Sequence, residues 1–141
     1  MTIEIIRTSQ APDAKPIGLS RTLTTDWETI IEVPSYEIPE ESFGGGSVVV
    51  PGVAELISPM LICNKTANTE FMSIRIYRFD TENFFLITND LPIPSNDIVS
   101  IPLNGQFIYS GDLLQVKGTA DETLDITMSF TIGQAEEDDV A

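Results

Sequence analysis

Between Asn89 and Lys117 the chain reads NDLPIPSNDIVSIPLNGQFIYSGDLLQVK, and turn-forming groups recur so closely that only strand-length segments fit between them. Pro92 and Pro94 fix φ and remove backbone donors, while Ser95-Asn96-Asp97, Asn104-Gly105 and Ser110-Gly111-Asp112 are turn chemistry. The apolar residues between these corners therefore predict short antiparallel strands. None of the polar groups in the stretch is poised for chemistry, so its residues bear on folding.

The rest of the chain follows the same pattern. The segment LDITMSFTI alternates cleanly and places Leu124, Ile126, Met128, Phe130 and Ile132 on one face, the strongest strand signal in the sequence. In FMSIRIYRF the alternation sets Met72, Ile74, Ile76 and Arg78 against Phe71, Ser73, Arg75, Tyr77 and Phe79, with the first set as the core face. The run VAELISPMLICN reads as one or two buried strands bent at Pro59, with Cys63 as a buried, inert thiol. In LSRTLTTDWETIIEV, Trp27 and Ile30 are the expected core anchors, and NFFLITNDLPIP is a further apolar strand ending at the proline corner. No helical period survives three turns, and turn signals recur about every ten residues, the spacing of a sandwich or jelly roll. The expected fold is all-β, a single antiparallel β-sandwich or jelly roll of about seven to eight strands with an extended N-terminal arm.

Three segments fall outside that body. Residues 1–19 begin with a short apolar alternation at Ile3, Ile5 and Ile6 and then lose all periodicity through Pro12 and Pro16, as an extended arm would. Residues 34–47, PSYEIPEESFGGGS, combine prolines, turn formers and a triple glycine, and predict a long surface loop carrying Tyr36 and Phe43. Residues 134–141 form an acidic tail, leaving 20–133 as the sandwich domain.

Charge narrows the partners. The net charge of −15, from 22 acidic and 7 basic residues, disfavours approach to nucleic-acid phosphates and anionic membrane surfaces. Removing the carboxylates of Glu136, Glu137, Asp138 and Asp139 changes the count only from −15 to −11, so acidity belongs to the body as well as the tail. The start MTIEIIRTSQ lacks the basic and apolar regions of a signal peptide, which predicts a soluble protein made in the cytoplasm.

No catalytic, cofactor or metal site is expected. The sequence has no histidine and one cysteine, so the commonest transition-metal ligand and Cys-based zinc sites are excluded. Gly44-Gly45-Gly46 precedes neither GK[ST] nor a helix, and nearby glutamates would repel an anion. Asp121, Glu122 and Asp125 are the tightest acidic group outside the tail, but their spacing fits no EF-hand loop and reads as a solvated turn. Arg75 and Arg78, with Asp80 and Glu82 close by in sequence, predict ordinary cross-strand or turn ion pairs. A nucleophilic serine would require a base partner, and GxSxG is absent.

Taken together, the Thr-rich opening TLTTDWETIIEVP, the strand end Leu61-Ile62-Cys63-Asn64, the corner DLPIPSND, the run LNGQFIYSGDLLQVKGTA and the closing strand LDITMSF give residues 19–132 a resemblance to small tailed-bacteriophage virion proteins. The resemblance implies a compact β-sandwich building block of the capsid surface, neck or tail, with no cofactor and no enzymatic activity. Its implied partners are other virion proteins and copies of itself, with no nucleic acid and no membrane, and its implied location is the virion. The extended 34–47 loop, the arm and the acidic tail depart from that pattern. They supply the expected partner-binding residues Ile3, Ile5, Ile6, Tyr36 and Phe43. The alternative is a receptor- or carbohydrate-binding module of a tail fibre, presenting Tyr36, Phe43, Phe79 and Tyr109.

Overall fold

A computed structural model describes residues 16–40 and 46–134, and these described residues form eleven strands. In chain order they are β1 (Ile17–Thr22), β2 (Glu28–Glu32), β3 (Ser35–Glu40), β4 (Gly46–Leu56), β5 (Met60–Asn64), β6 (Glu70–Arg78), β7 (Asn83–Ile93), β8 (Ile98–Ile101), β9 (Phe107–Tyr109), β10 (Leu113–Gly118) and β11 (Leu124–Gln134). One sheet has seven strands and the other has four, in the order β2-β10-β6-β7, and every pairing is antiparallel.

The larger sheet is organised around β11. Along one edge β11 pairs with β1, from Ile17↔Phe130 to Thr22↔Asp125. Along the other it pairs first with β5, from Leu124↔Asn64 to Thr127↔Leu61, and then with β4, from Phe130↔Leu56 to Gln134↔Gly52. Thus β4 and β5 lie end to end beside one strand. Pro59 cannot donate to a ladder, and the interruption at Ile57-Ser58-Pro59 is where the sequence predicted a bend. The gap is bridged locally: Ile57 N donates to Ser129 O at 3.1 Å, and Ser129 N donates to Ser58 Oγ at 2.8 Å. Beyond them β8 pairs with β5 and β9 with β4, the two joined through the Asn104-Gly105 turn. The order β1-β11-β5-β8 opposite β2-β10-β6-β7 is that of an eight-stranded jelly roll, within the predicted fold class.

The core lies between the sheets. Leu124, Ile126, Met128 and Phe130 of β11 are buried and Ile132 is half-buried, and on the opposite sheet Met72, Ile74 and Ile76 of β6 are buried with Leu114 and Val116 of β10. Both predicted core faces are therefore present. Each fully buried aliphatic side chain contributes about 1.5–3 kcal/mol relative to an exposed one. Asn64 is buried too, and all of its polar capacity is used at the corner after β5. Its Nδ2 donates to Asn68 O and Ile93 O, and its Oδ1 accepts from Thr66 N and Thr66 Oγ1.

Several expectations are corrected. The 34–47 stretch is not simply a loop: Ser35–Glu40 and Gly46–Pro51 pair as a ribbon, β3 with the first half of β4. Pro39 fits because β3 is bonded to one neighbour only among the described residues, so the missing donor can face away from the ladder. Leu19, assigned to the arm, is buried in β1. Cys63 is half-exposed rather than buried, because Met60, Ile62 and Asn64 take the inward positions of β5 and leave Leu61 and Cys63 on the outer face. Trp27 is only partly buried, whereas Ile30 is in the core. Residues 1–15, 41–45 and 135–141, including Ile3, Ile5, Ile6 and Phe43, lie outside the described residues.

Candidate interaction surfaces

The corner where β9 turns into β10 ties the two sheets together. Asp112 is 4 % exposed; its Oδ2 accepts from Arg78 Nη1 at 2.9 Å and Tyr109 N at 3.0 Å, and its Oδ1 accepts from Phe79 N at 2.9 Å. Arg78 Nη1 also donates to Phe107 O at 3.0 Å. The ion pair expected of Arg78 therefore exists, but with Asp112 instead of its sequence neighbours Asp80 and Glu82. Gly111, at φ +88°, allows the turn and lets the Phe79 ring approach its Cα.

This corner gathers aromatics. Phe79 and Tyr109 are exposed and line a shallow depression with Arg78 and Asp80. The Phe107 and Tyr109 rings stack with centroids 6.3 Å apart. Beside them an open groove of about 530 Å³ is lined by Arg78, Asn104, Gln106, Phe107 and Tyr109 among others. The structure thus brings Phe79 and Tyr109 together. Tyr36 instead lies in β3 with its ring against Gly52, where any side chain would also collide with Pro34 O, and burial raises its phenol pKa.

The outer edge of the four-stranded sheet has a different character. β7 pairs with β6 on one side and with no strand on the other among the described residues. Within it Asn83-Phe84-Phe85-Leu86-Ile87-Thr88 carries no charge, and Phe84, Phe85 and Leu86 are 51 %, 48 % and 58 % exposed. An exposed apolar edge offers both unpaired backbone groups and a hydrophobic surface to another strand. The sequence showed the apolar run. It did not show that topology leaves the run on an edge.

On the outer face of the same sheet, the Arg75 guanidinium carbon lies 4.1 Å from the Trp27 ring centroid and 3.9 Å from that of Phe84. Arg75 Nε donates to Gln115 Oε1 at 2.7 Å, and Gln115 Nε2 donates to Thr29 Oγ1 at 3.0 Å. Lys117 Nζ stands 5.0 Å from the Trp27 centroid. Trp27 is therefore a platform for cations where the sequence predicted a core anchor.

The acidic turn does not assemble a cation site. Asp121 Oδ1 accepts from Thr25 N, while Asp125 Oδ1 accepts from Thr22 Oγ1 at 2.7 Å and pairs with Lys65 at 3.1 Å. Among the described residues no group of three or more acidic, Cys or His side chains is placed to hold a metal ion, and no helix is long and apolar enough to cross a membrane.

No protein-family model matches the chain, and no curated protein matches it. Solved structures similar to it include one of infectious bursal disease virus Gt strain, with 9 % identity, a TM-score of 0.42, and 89 % of this chain against 32 % of that one covered. Another is a virus-like particle of the extra small virus of the giant freshwater prawn Macrobrachium rosenbergii, with 12 % identity, a TM-score of 0.39, and 87 % and 79 % covered. A third is the CBM22-1–GH10 portion of Clostridium thermocellum endo-1,4-β-D-xylanase 10B complexed with xylohexaose, with 10 % identity, a TM-score of 0.36, and 84 % and 26 % covered. This chain thus spans about a third of the bursal disease virus chain and about a quarter of the xylanase chain.

Proposed function

We propose that this protein is a non-enzymatic structural subunit of a tailed-bacteriophage virion, assembling in symmetric copies on the capsid, neck or tail. The observation that carries this reading is the β7 edge, where an uncharged strip with three exposed large apolar side chains borders a sheet of an otherwise strongly acidic protein. Such an edge is a liability in a protein that stays alone, and an asset in one whose edges are covered by neighbours. A second copy of the chain can approach this strip without opposing carboxylate to carboxylate. The resemblance of its turn motifs to those of phage virion proteins supports the same role.

Phe85→Lys tests the assembly role, because a lysine on an edge strand opposes strand addition while the monomer can keep it solvated. The wild-type protein is expected to associate in sedimentation velocity and to enter particles. The variant, with unchanged circular dichroism, is expected to do neither. A variant that associates like the wild type would overturn the edge assignment. The N-terminal arm is tested separately by deleting residues 1–15; a cut through residue 20 would also remove most of β1, including buried Leu19, and so confound assembly with folding.

A second reading rests on the groove beside Phe107 and Tyr109. Stacked rings flanked by the amides of Asn104 and Gln106 are groups that sugars contact. If the protein is instead a glycan-binding module of a tail fibre, a glycan array returns hits that Tyr109→Ala abolishes. An array without hits, together with a capsid or neck position in an intact particle, removes this reading.

A further inference from the structure

Three of the five cations among the described residues are neutralised by carboxylates: Arg21 by Glu28 at 3.7 Å, Lys65 by Asp125 at 3.1 Å and Arg78 by Asp112 at 2.9 Å. The other two, Arg75 and Lys117, have no carboxylate within 4.0 Å among the described residues, and both stand over the same indole, that of Trp27. A protein of net charge −15 has carboxylates in excess, so two cations left without them on one ring are a departure that calls for an account.

The geometry gives one. The Arg75 guanidinium carbon lies over both the Trp27 and the Phe84 ring, and the Gln115–Thr29 chain fixes its Nε. A guanidinium that lies over aromatic rings keeps its edge free to hydrogen-bond, and Nη1 and Nη2 have no acceptor among the described residues. A preorganised, partly desolvated guanidinium edge matches a carboxylate in geometry and charge. Lys117 adds a second positive centre for an adjacent carboxylate. Together they suit an extended acidic peptide segment better than a single small anion.

We infer that the Trp27–Arg75–Lys117 face binds an acidic peptide segment, and that its occupant is the run Glu136-Glu137-Asp138-Asp139 of a second copy of this chain. Charge complementarity argues for that occupant: the run places four consecutive carboxylates in the same polypeptide. Copies of a strongly acidic chain also repel one another, and pairing the acidic run of one with the unneutralised cations of the next relieves part of that repulsion. The inference rests on the proposal that copies assemble, and adds to the β7 edge a separate, salt-sensitive contact.

The test uses two full-length variants and Trp27, the only tryptophan, as an intrinsic reporter. The site variant carries Arg75→Gln and Lys117→Gln, and the tail variant carries E136Q, E137Q, D138N and D139N. Each alone is expected to show self-association at least about tenfold weaker than wild type at low salt, with the difference shrinking as salt is raised. Mixed together they are expected to associate again, because the intact tail of one meets the intact site of the other, and the Trp27 emission of the tail variant should shift on mixing.

Tail-variant association equal to wild type would overturn the inference, and so would a mixture that stays dissociated, as it must if the contact forms within one copy or serves only folding. Because the tail variant leaves every sandwich residue in place, that arm does not depend on the folding of the site variant. Loss of assembly in Phe85→Lys with none in the tail variant would leave the assembly proposal standing and remove this one.

Discussion

Arg78 and Asp112 meet at 2.9 Å where β6 ends and β10 begins, and the carboxylate is nearly buried while the guanidinium keeps partial access to solvent. The asymmetry matters. Asp112 holds the backbone of Phe79 and Tyr109 as well as Arg78, so its loss strands two amides and a cation together. Asp112→Ala should destabilise the fold by about 3 kcal/mol or more, read as a lower denaturation midpoint at unchanged slope. Arg78→Met should cost less if the backbone bonds to Asp112 carry most of the effect; equal losses would show that the ion pair dominates.

The neighbouring glycine separates backbone strain from collision. Gly111 has φ +88° and a Cβ there would stand 2.7 Å from Phe79 Cγ, whereas Gly105 has φ +92° and open space around it. Gly105→Ala should therefore cost only the left-handed conformation, about 1 kcal/mol. Gly111→Ala should cost clearly more. In a Phe79→Gly background, which removes the ring and also the Phe79 Cβ that would stand 2.8 Å away, the excess should disappear, leaving a penalty close to that at Gly105, so a double-mutant cycle by chemical denaturation distinguishes the two effects.

How much of this was legible beforehand depended on whether a strand has one wet face. β11 and β6 do, so alternation gave their core positions by residue. β7 was legible as a strand but not as an exposed edge, because an apolar run looks the same in sequence whether a neighbour covers it or not. The β3 ribbon was hidden by Pro39 and the glycines, which mark loops unless the strand has only one partner. The Trp27–Arg75–Phe84 stack was beyond reach for a different reason. It joins the start of β2 to β6 and β7, elements brought together only by the strand order of the sheet. Tyr109 and Phe79 were picked out as aromatics, but Asp112, which positions both, looked like one more turn residue.

Ser58 carries the join between β4 and β5. Its hydroxyl accepts the Ser129 amide at 2.8 Å, at the one point where β11 would otherwise face a gap in its partner strand. Ser58→Ala should cost about 1–2 kcal/mol by leaving that part-buried amide unsatisfied. Hydrogen exchange locates the effect: the Ser129 amide should lose protection ahead of Ile126 and Met128, and uniform loss along β11 would mean that the join is not local.

Asp125 gives the chain a measurable response to acid. The Thr22 hydroxyl bond is the main influence lowering its pKa, with Lys65 adding to it and partial burial opposing. A carboxylate with a depressed native pKa contributes stability that is fully present above its ordinary value, about 3.9, and is lost as pH falls through the native one. The side chain is 43 % exposed, so solvent screening keeps the contribution small and the titration itself is the better observable. By carboxyl carbon NMR, Asp125 should titrate below the ordinary range. Thr22→Val and Lys65→Met should each move its midpoint up, because the hydroxyl bond and the ammonium both favour the ionised form. A midpoint that Thr22→Val leaves unmoved would show that the ammonium alone governs this carboxylate, and would leave the Thr22 pairing of β1 to β11 without an electrostatic role.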